Sequence, residues 1–301
     1  MKATRLHAYG DVSHFAYEDA STPTVGEGEV LVKIEASGLN PVDLYVRQGY
    51  LAKNVPLTFP AIIGLDAAGS VAEIGAGVSG LKVGDRVILK LPIGSNGAHA
   101  EYALGTRDRI AKLGNSVSFE AGATLGLVGL TARQAIDALN VKAGGRVLVG
   151  AALGAVGRAA VQYLKELGAI PVALVRPESL AEAKALTGEA FALGEGEGKS
   201  FDKALASAGG PVAGAVLDLL SDGGTLAAVA GVPEGANGDG RVNIINVLAE
   251  DRGEMLQQIA DAAGRGDLKI PVAHTLRLSQ LGEAHTLLAA GRVGGKIVLV
   301  P

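Results

Sequence analysis

The run Val147-Leu148-Val149-Gly150-Ala151-Ala152-Leu153-Gly154-Ala155-Val156-Gly157 carries the clearest chemistry in the chain. An apolar strand enters a turn of small residues and leaves it as a helix, and Ala152, Gly154 and Gly157 stand at the three spacings of a dinucleotide fingerprint, with alanine at the first. Gly154 would let the backbone approach a pyrophosphate and Gly157 would let the helix pack on the strand. The N–H groups from Ala152 through Leu153, Gly154, Ala155 and Val156 would face the anion. Small residues also serve tight packing alone, but the strand–turn–helix context favours a bound nucleotide. Choice of nucleotide then falls to the tip of the second strand, Leu174-Val175-Arg176-Pro177. A guanidinium there suits a 2′-phosphate where an acid would hold a ribose hydroxyl, so NADPH is expected over NADH. Glu178 counts against this, since a carboxylate repels phosphate.

Other chemistries find little support. The five histidines, His7, His14, His99, His274 and His285, form no pair at metal-binding spacing, and each is expected to be a surface or strand histidine. With no cysteine in the chain, thiolate zinc sites and thiol catalysis are excluded, so no metal is expected. No Gly-x-Ser-x-Gly elbow or Ser-His-Asp set points to hydrolysis. Net charge is -4, with Lys and Arg dispersed, which argues against nucleic acid as a partner. The first thirty residues hold no signal-peptide core and no run is long enough to span a membrane, so a cytoplasmic protein is expected.

These groups must be positioned by two kinds of structure. At 301 residues the chain is long enough for two cores, and 44 glycines suit a turn-rich α/β protein. Residues 1–115 read as short alternating strands, as in 29–35, 85–91 and 98–104, with one helix at 41–47. Helical periodicity covers 119–139. Strands and helices then alternate as in a doubly wound parallel sheet: strand 147–149, helix 156–167, strand 172–175, helix 177–186, strands 190–193, 201–205, 225–230 and 242–248, and helix 254–263. Between the strands at 190–193 and 201–205 stand only seven residues, 194–200, where a helical crossover needs roughly 10 to 12, so one covering helix is expected to be missing.

Gly38-Leu39-Asn40-Pro41-Val42-Asp43, with Tyr45, Arg47 and Gly49-Tyr50, resembles the signature region of the zinc-independent quinone oxidoreductases of the medium-chain dehydrogenase/reductase family. Leu127-Val128-Gly129-Leu130-Thr131-Ala132, the fingerprint turn and the ending Gly295-Lys296-Ile297-Val298-Leu299 extend the likeness over nearly the whole chain. Where zinc-bearing relatives carry Gly-His-Glu, this chain has Gly64-Leu65-Asp66. The resemblance implies a GroES-like β domain over 1–115, completed by 272–301, and a Rossmann domain over 116–271, with substrate in the cleft between them. It implies Asn40 beside the nicotinamide, Tyr45 and Tyr50 lining the pocket, and Thr131 and the backbone of Val229, Ala230 and Gly231 beside the same ring. Three departures are Ala152 at the first small position, no tyrosine within 193–196, and the missing helix. The implied reaction is hydride transfer from NADPH to an electron-poor small molecule, a quinone or an α,β-unsaturated carbonyl, with Tyr45 or Asn40 donating to the developing oxyanion. An enoyl or enone reductase, and a non-catalytic NADPH-binding redox sensor, are the alternatives. A homodimer pairing residues 242–248 across a two-fold axis is also expected.

Overall fold

The computed structural model describes residues 1–196, 198, 200–291 and 293–301. In chain order the first elements are β1 (Lys2–Leu6), β2 (Phe15–Asp19), β3 (Glu29–Gly38), α1 (Pro41–Gln48), β4 (Ala61–Ile62), β5 (Asp66–Ile74), β6 (Arg86–Lys90), β7 (Tyr102–Thr106), β8 (Ile110–Lys112), α2 (Phe119–Gly122) and α3 (Gly126–Leu139). There follow β9 (Arg146–Gly150), α4 (Ala155–Glu166), β10 (Ile170–Val175), α5 (Leu180–Thr187), β11 (Ala190–Ala192), β12 (Phe201–Ala206), α6 (Pro211–Asp218), β13 (Leu220–Ala228) and β14 (Asn243–Asn246). The chain closes with α7 (Gly253–Arg265), β15 (Val272–Arg277), α8 (Leu281–Ala290) and β16 (Lys296–Val300). Two compact units result, residues 1–127 with 251–301, and residues 128–250.

The first unit is a mostly antiparallel β structure. One sheet runs β15-β16-β3-β5-β6-β8, with β7 also on β3, and a small sheet runs β2-β1-β4. The last strand, β16, pairs antiparallel with β3 through Val298↔Gly38 and Leu299↔Ser37. Val30, Val32, Ile34, Val87 and Leu89 fill one core; Leu39, Leu281, Ile297 and Leu299 fill another under α8. Residues 98–101 precede the strand expected at 98–104, which begins at Tyr102. The first unit takes in more chain at both joins than the boundaries at 116 and 271 allow. At one join Gly38 lies so close to α2 that a Cβ would sit 2.2 Å from the Ala123 carbonyl oxygen. At the other, α7 is tied to β8 by the Gln257 amide, which accepts from Lys112 N at 2.8 Å and donates to its carbonyl at 3.1 Å.

The second unit is a parallel sheet ordered β11-β10-β9-β12-β13-β14, a doubly wound order whose direction reverses between β9 and β12. Ligands in such sheets bind at the carboxyl ends of the strands flanking that reversal, which is where β9 delivers its small-residue turn. Helix α4 buries Gly157, Ala160, Val161 and Leu164, the i, i+3, i+4, i+7 stripe its sequence spells. The connection from β11 to β12 holds no helix among the described residues, as its length required; Glu197 and Lys199 lie outside them. Helix α6 compensates by lying close on β9, where a Cβ on Gly150 would meet Val216 Cγ2 at 2.6 Å. Phe191 and Phe201 meet edge to face at 6.5 Å, and the Arg146 guanidinium lies 5.5 Å from the Phe201 ring while pairing with Glu189.

Two positions in the turn should report its packing through urea denaturation. A Cβ on Gly157 would lie 2.4 Å from the Ala151 carbonyl oxygen, so Gly157→Ala is expected to cost about 1–3 kcal/mol by forcing α4 off β9. Ala151 is held at φ 55, where glycine is unstrained, and Ala151→Gly is expected to stabilise the fold by about 0.5–1 kcal/mol after its own entropy cost.

Candidate functional site

In the second unit the turn brings together Ala152, Leu153, Gly154, Ala155 and Val156 as the sequence leads one to expect. Gly154 is the N-cap of α4 at φ -70, with its N–H bonded to the Ala151 carbonyl at 2.9 Å. The first N–H groups of the helix have no intrahelical acceptors, and the dipole adds partial positive charge there. Two side chains that sequence reasoning passed over hold this turn. The Ser207 hydroxyl, just past β12, donates to the carbonyls of Gly150 at 2.8 Å and Ala151 at 3.2 Å. Arg158 Nε donates back to the Leu153 carbonyl at 3.0 Å while its guanidinium pairs with Glu182. An arginine four residues beyond Gly154 was the available signal for the second; Ser207 is 53 residues beyond Gly154 and left none.

Arg176 stands exposed at the tip of β10, with Nε 3.5 Å from Glu178 Oε1. The carboxylate read from sequence as a repeller is thus the guanidinium's partner, in an exposed pair of the kind worth at most about 1 kcal/mol. Val229, Ala230 and Gly231 follow β13 directly, and Val229 N donates to the Ala206 carbonyl at 3.0 Å. Thr131 is buried on α3.

In the first unit Asn40 precedes α1 and is 1% exposed. Its Nδ2 donates to Asp66 Oδ2 at 2.9 Å and its Oδ1 accepts from Lys296 Nζ at 2.6 Å. Lys296 Nζ also donates to the Leu39 carbonyl at 2.7 Å and lies 3.9 Å from Asp66 Oδ2. The other Asp66 oxygen accepts from Leu127 N at 2.8 Å, and Asp43 Oδ2 accepts from Asn40 N at 2.8 Å. Asp66, Asp43 and Lys296 were legible as motif members but not as partners, since 230 residues separate Asp66 from Lys296. Tyr45 and Tyr50 are 47% and 72% exposed, with ring centroids 6.2 Å apart. Gly49 at φ 83 ends α1 in a left-handed turn, so that Tyr50 N bonds the Tyr45 carbonyl at 3.0 Å and the two rings lie side by side.

Burial sets the protonation of this cluster. It raises Asp66, against the pull of Lys296, Asn40 and Leu127, and lowers Lys296, against Asp66 and Asp43. Asp43 is pushed up to about 7 by burial, opposed by the Asn40 N–H and by Lys296; its Oδ1 finds no partner among the described residues. Two of the histidines, His99 and His285, prove to be core residues, each pushed down to about 3 chiefly by burial and so neutral at physiological pH. His99 Nδ1 sits 3.1 Å from Ser37 Oγ.

A raised folded-state value means that Asp43 keeps its proton in the native protein over a range where the unfolded chain has lost it. Its contribution to stability is full below the ordinary value of 3.8 and is lost as pH rises through about 7. Lys296, lowered by burial, acts in the opposite sense, stability rising with pH up to its ordinary value of 10.5. Asp43→Asn keeps an acceptor for Asn40 N and is expected to flatten the fall in urea-measured stability between about pH 5 and 8. A variant that tracks wild type across that interval would show that Asp43 does not titrate there.

Two family profiles match the chain, the alcohol dehydrogenase GroES-like domain over residues 26–134 and the zinc-binding dehydrogenase domain over residues 185–299. The chloroplast envelope quinone oxidoreductase homolog of Arabidopsis thaliana is 29% identical over 329 aligned positions, spanning 100% of this chain and 98% of that one. The quinone oxidoreductase structure from Coxiella burnetii superposes with a TM-score of 0.88 at 27% identity, covering 100% of this chain and 99% of the other. A crystal structure of an NAD-dependent alcohol dehydrogenase superposes at 0.89 with 29% identity and complete coverage of both chains. The zinc named in the second profile does not fit the donors at Asp66, whose oxygens are taken by an amide, a backbone N–H and the nearby Lys296 ammonium. Among the described residues no three His, Cys, Asp or Glu side chains are grouped to hold a metal ion. With dehydrogenase profiles on both halves and whole-length likeness to quinone oxidoreductases in sequence and fold, the chain belongs to the medium-chain dehydrogenase/reductase family and resembles its quinone oxidoreductase branch.

Proposed function

We propose that the protein is a zinc-independent, NADPH-dependent reductase acting on a quinone or an α,β-unsaturated carbonyl. The observation that carries this reading is the strand–turn–helix at Ala151 to Gly157. Its Gly157 admits no Cβ, and its helix start offers N–H groups without intrahelical acceptors at the sheet's reversal point. A nicotinamide dinucleotide fits that cradle, since the pyrophosphate needs close backbone approach and partial positive charge rather than a side-chain cation. Ala152, Leu153, Gly154, Ala155 and Val156 would hold the pyrophosphate, Arg176 the 2′-phosphate, and Thr131 with Val229, Ala230 and Gly231 the nicotinamide side. When bound, the nicotinamide supplies a hydride.

The chain's own part is alignment and electrostatics. Tyr45 and Tyr50 present two apolar ring faces and two hydroxyls on which a planar, electron-poor acceptor can stack. A tyrosine hydroxyl, or the Asn40 amide, donates to the oxygen that gains charge, which favours an acceptor already activated by conjugation. The direct connection from β11 to β12 favours a second reading, an NADPH-binding redox sensor without turnover, because it removes a helix from the nucleotide unit. Edge strand β14, bonded among the described residues to β13 alone and followed by Leu248 at 88% exposure, supports a homodimer formed by continuing the sheet. We place such a protein in the cytoplasm.

An acceptor screen at fixed NADPH and at fixed NADH, following loss of reduced-nicotinamide absorbance, tests the activity. Turnover with benzoquinones or enones is expected, enones alone would make it an enone reductase, and tight NADPH binding with no turnover would select the sensor. Arg176→Ala is expected to weaken NADPH by about 1.5–3 kcal/mol and leave NADH nearly unchanged, measured by titration at one ionic strength. Equal effects on both would remove Arg176 from the 2′-phosphate site. Sedimentation at micromolar concentration should show a dimer; a monomer would sink the edge-pairing assignment.

A further inference from the structure

We propose that Lys296 and Asp66 are positioning residues that lock the Asn40 amide in one orientation, with an Nδ2 hydrogen left to donate. The proposal rests on the reading of Asn40 as a group beside the reacting centre. A carboxamide has two halves of nearly equal shape, so its orientation is set by its partners. An ammonium can only donate and a carboxylate only accept. Lys296 Nζ at 2.6 Å from Oδ1, and Asp66 Oδ2 at 2.9 Å from Nδ2, therefore admit one orientation. The flipped amide would set an NH2 group against the ammonium and an oxygen against the carboxylate, both in a buried setting where such contacts are costly. With Oδ1 engaged and one Nδ2 hydrogen spent on Asp66, a single N–H remains for a ligand. Asn40 can then offer that N–H to an oxygen that gains negative charge, while its Oδ1 keeps a second lone pair beyond the Lys296 bond.

The backbone does not need Lys296 for its placement. Leu39 N bonds the Ile297 carbonyl at 3.0 Å, Asn40 N bonds Asp43 at 2.8 Å, and β16 is registered on β3 by Val298↔Gly38. Burying a lysine and a carboxylate gives little net stability, and apolar residues of like volume often replace such groups without loss. What Lys296 adds, beyond the anchors already present, is the direction of one amide.

The test is a double-mutant cycle on the full-length protein, with Lys296→Met, Asn40→Ala and the double variant, reading kcat/KM for p-benzoquinone at saturating NADPH. Each single substitution is expected to lower it about tenfold or more, and the double variant should be no worse than Asn40→Ala within about twofold. The NADPH dissociation constant should stay within about twofold in Lys296→Met. Losses that multiply, or NADPH binding that falls in step with turnover, would overturn the proposal. Nitrogen-15 spectra of the Asn40 side chain give a readout independent of turnover. In wild type the two Nδ2 protons should be separate in shift and protected from exchange; in Lys296→Met both should move and exchange faster while distant backbone amides stay in place. Unchanged Asn40 signals would refute the lock. Asp66→Asn provides the same spectral test if the methionine variant does not fold. If wild type oxidises neither NADPH nor NADH with any acceptor, the proposed function falls, and the amide spectra still decide the lock.

Discussion

A carboxylate removed from water must be paired, hydrogen-bonded or protonated, and most of what positions the first unit's chemistry follows from how Asp66 meets that demand. Its two oxygens draw on three distant stretches: Asn40 before α1, Leu127 in the first turn of α3, and Lys296 at the start of β16. The fit leaves no spare volume. Gly126 must be glycine because a Cβ would stand 2.4 Å from Asp66 Oδ1. Across the β5–β6 register Asp66 faces Lys90, whose ammonium lies 2.6 Å from Asp251 in a cluster joined by Arg109. One cross-strand pair thus anchors residue 127, where the chain leaves the first unit, and residue 251, where it returns.

Burial, with a smaller push from the neighbouring Asp66 carboxylate, raises the affinity of Asp43 for its proton against the pull of the Asn40 N–H and Lys296, and its Oδ1 finds no partner among the described residues. Around the Asn40 amide stand the Lys296 ammonium at 2.6 Å and the Asp66 carboxylate at 2.9 Å. Such a set can orient and polarise an acceptor but offers less Lewis acidity than a divalent cation. The proposed electron-poor acceptors match that limitation.

The second unit solves a different problem. The connection from β11 to β12 holds no helix among the described residues, and parallel sheets need both faces covered. Helix α6 settles close on β9 over Gly150, while Phe191, Phe201 and the Arg146–Glu189 pair shield what lies beyond it. The small-residue turn lies at the carboxyl ends of β9 and β12, where Ser207 ties it.

What was legible in the sequence is local. The fingerprint turn, the strand–helix alternation and the short connection at 194–200 are each properties of a few consecutive residues, where backbone geometry and side-chain period act directly. The alternating run at 29–35 and the helical stripe of α4 were likewise readable because one period maps onto one buried face. The signature around Asn40 could not show that the Asn40 amide is bonded to both Asp66 and Lys296, nor that Glu178 stands beside Arg176. It also could not place residues 116–127 and 251–271 with the first unit, since packing of α2 and α7 depends on surfaces supplied far along the chain. Long-range pairing of Asp66 with Lys296, burial of His99 and His285, and the protonation of Asp43 were decided by the tertiary structure alone. They arise from desolvation and from charges brought together across as many as 253 positions, and neither quantity exists until the chain has closed.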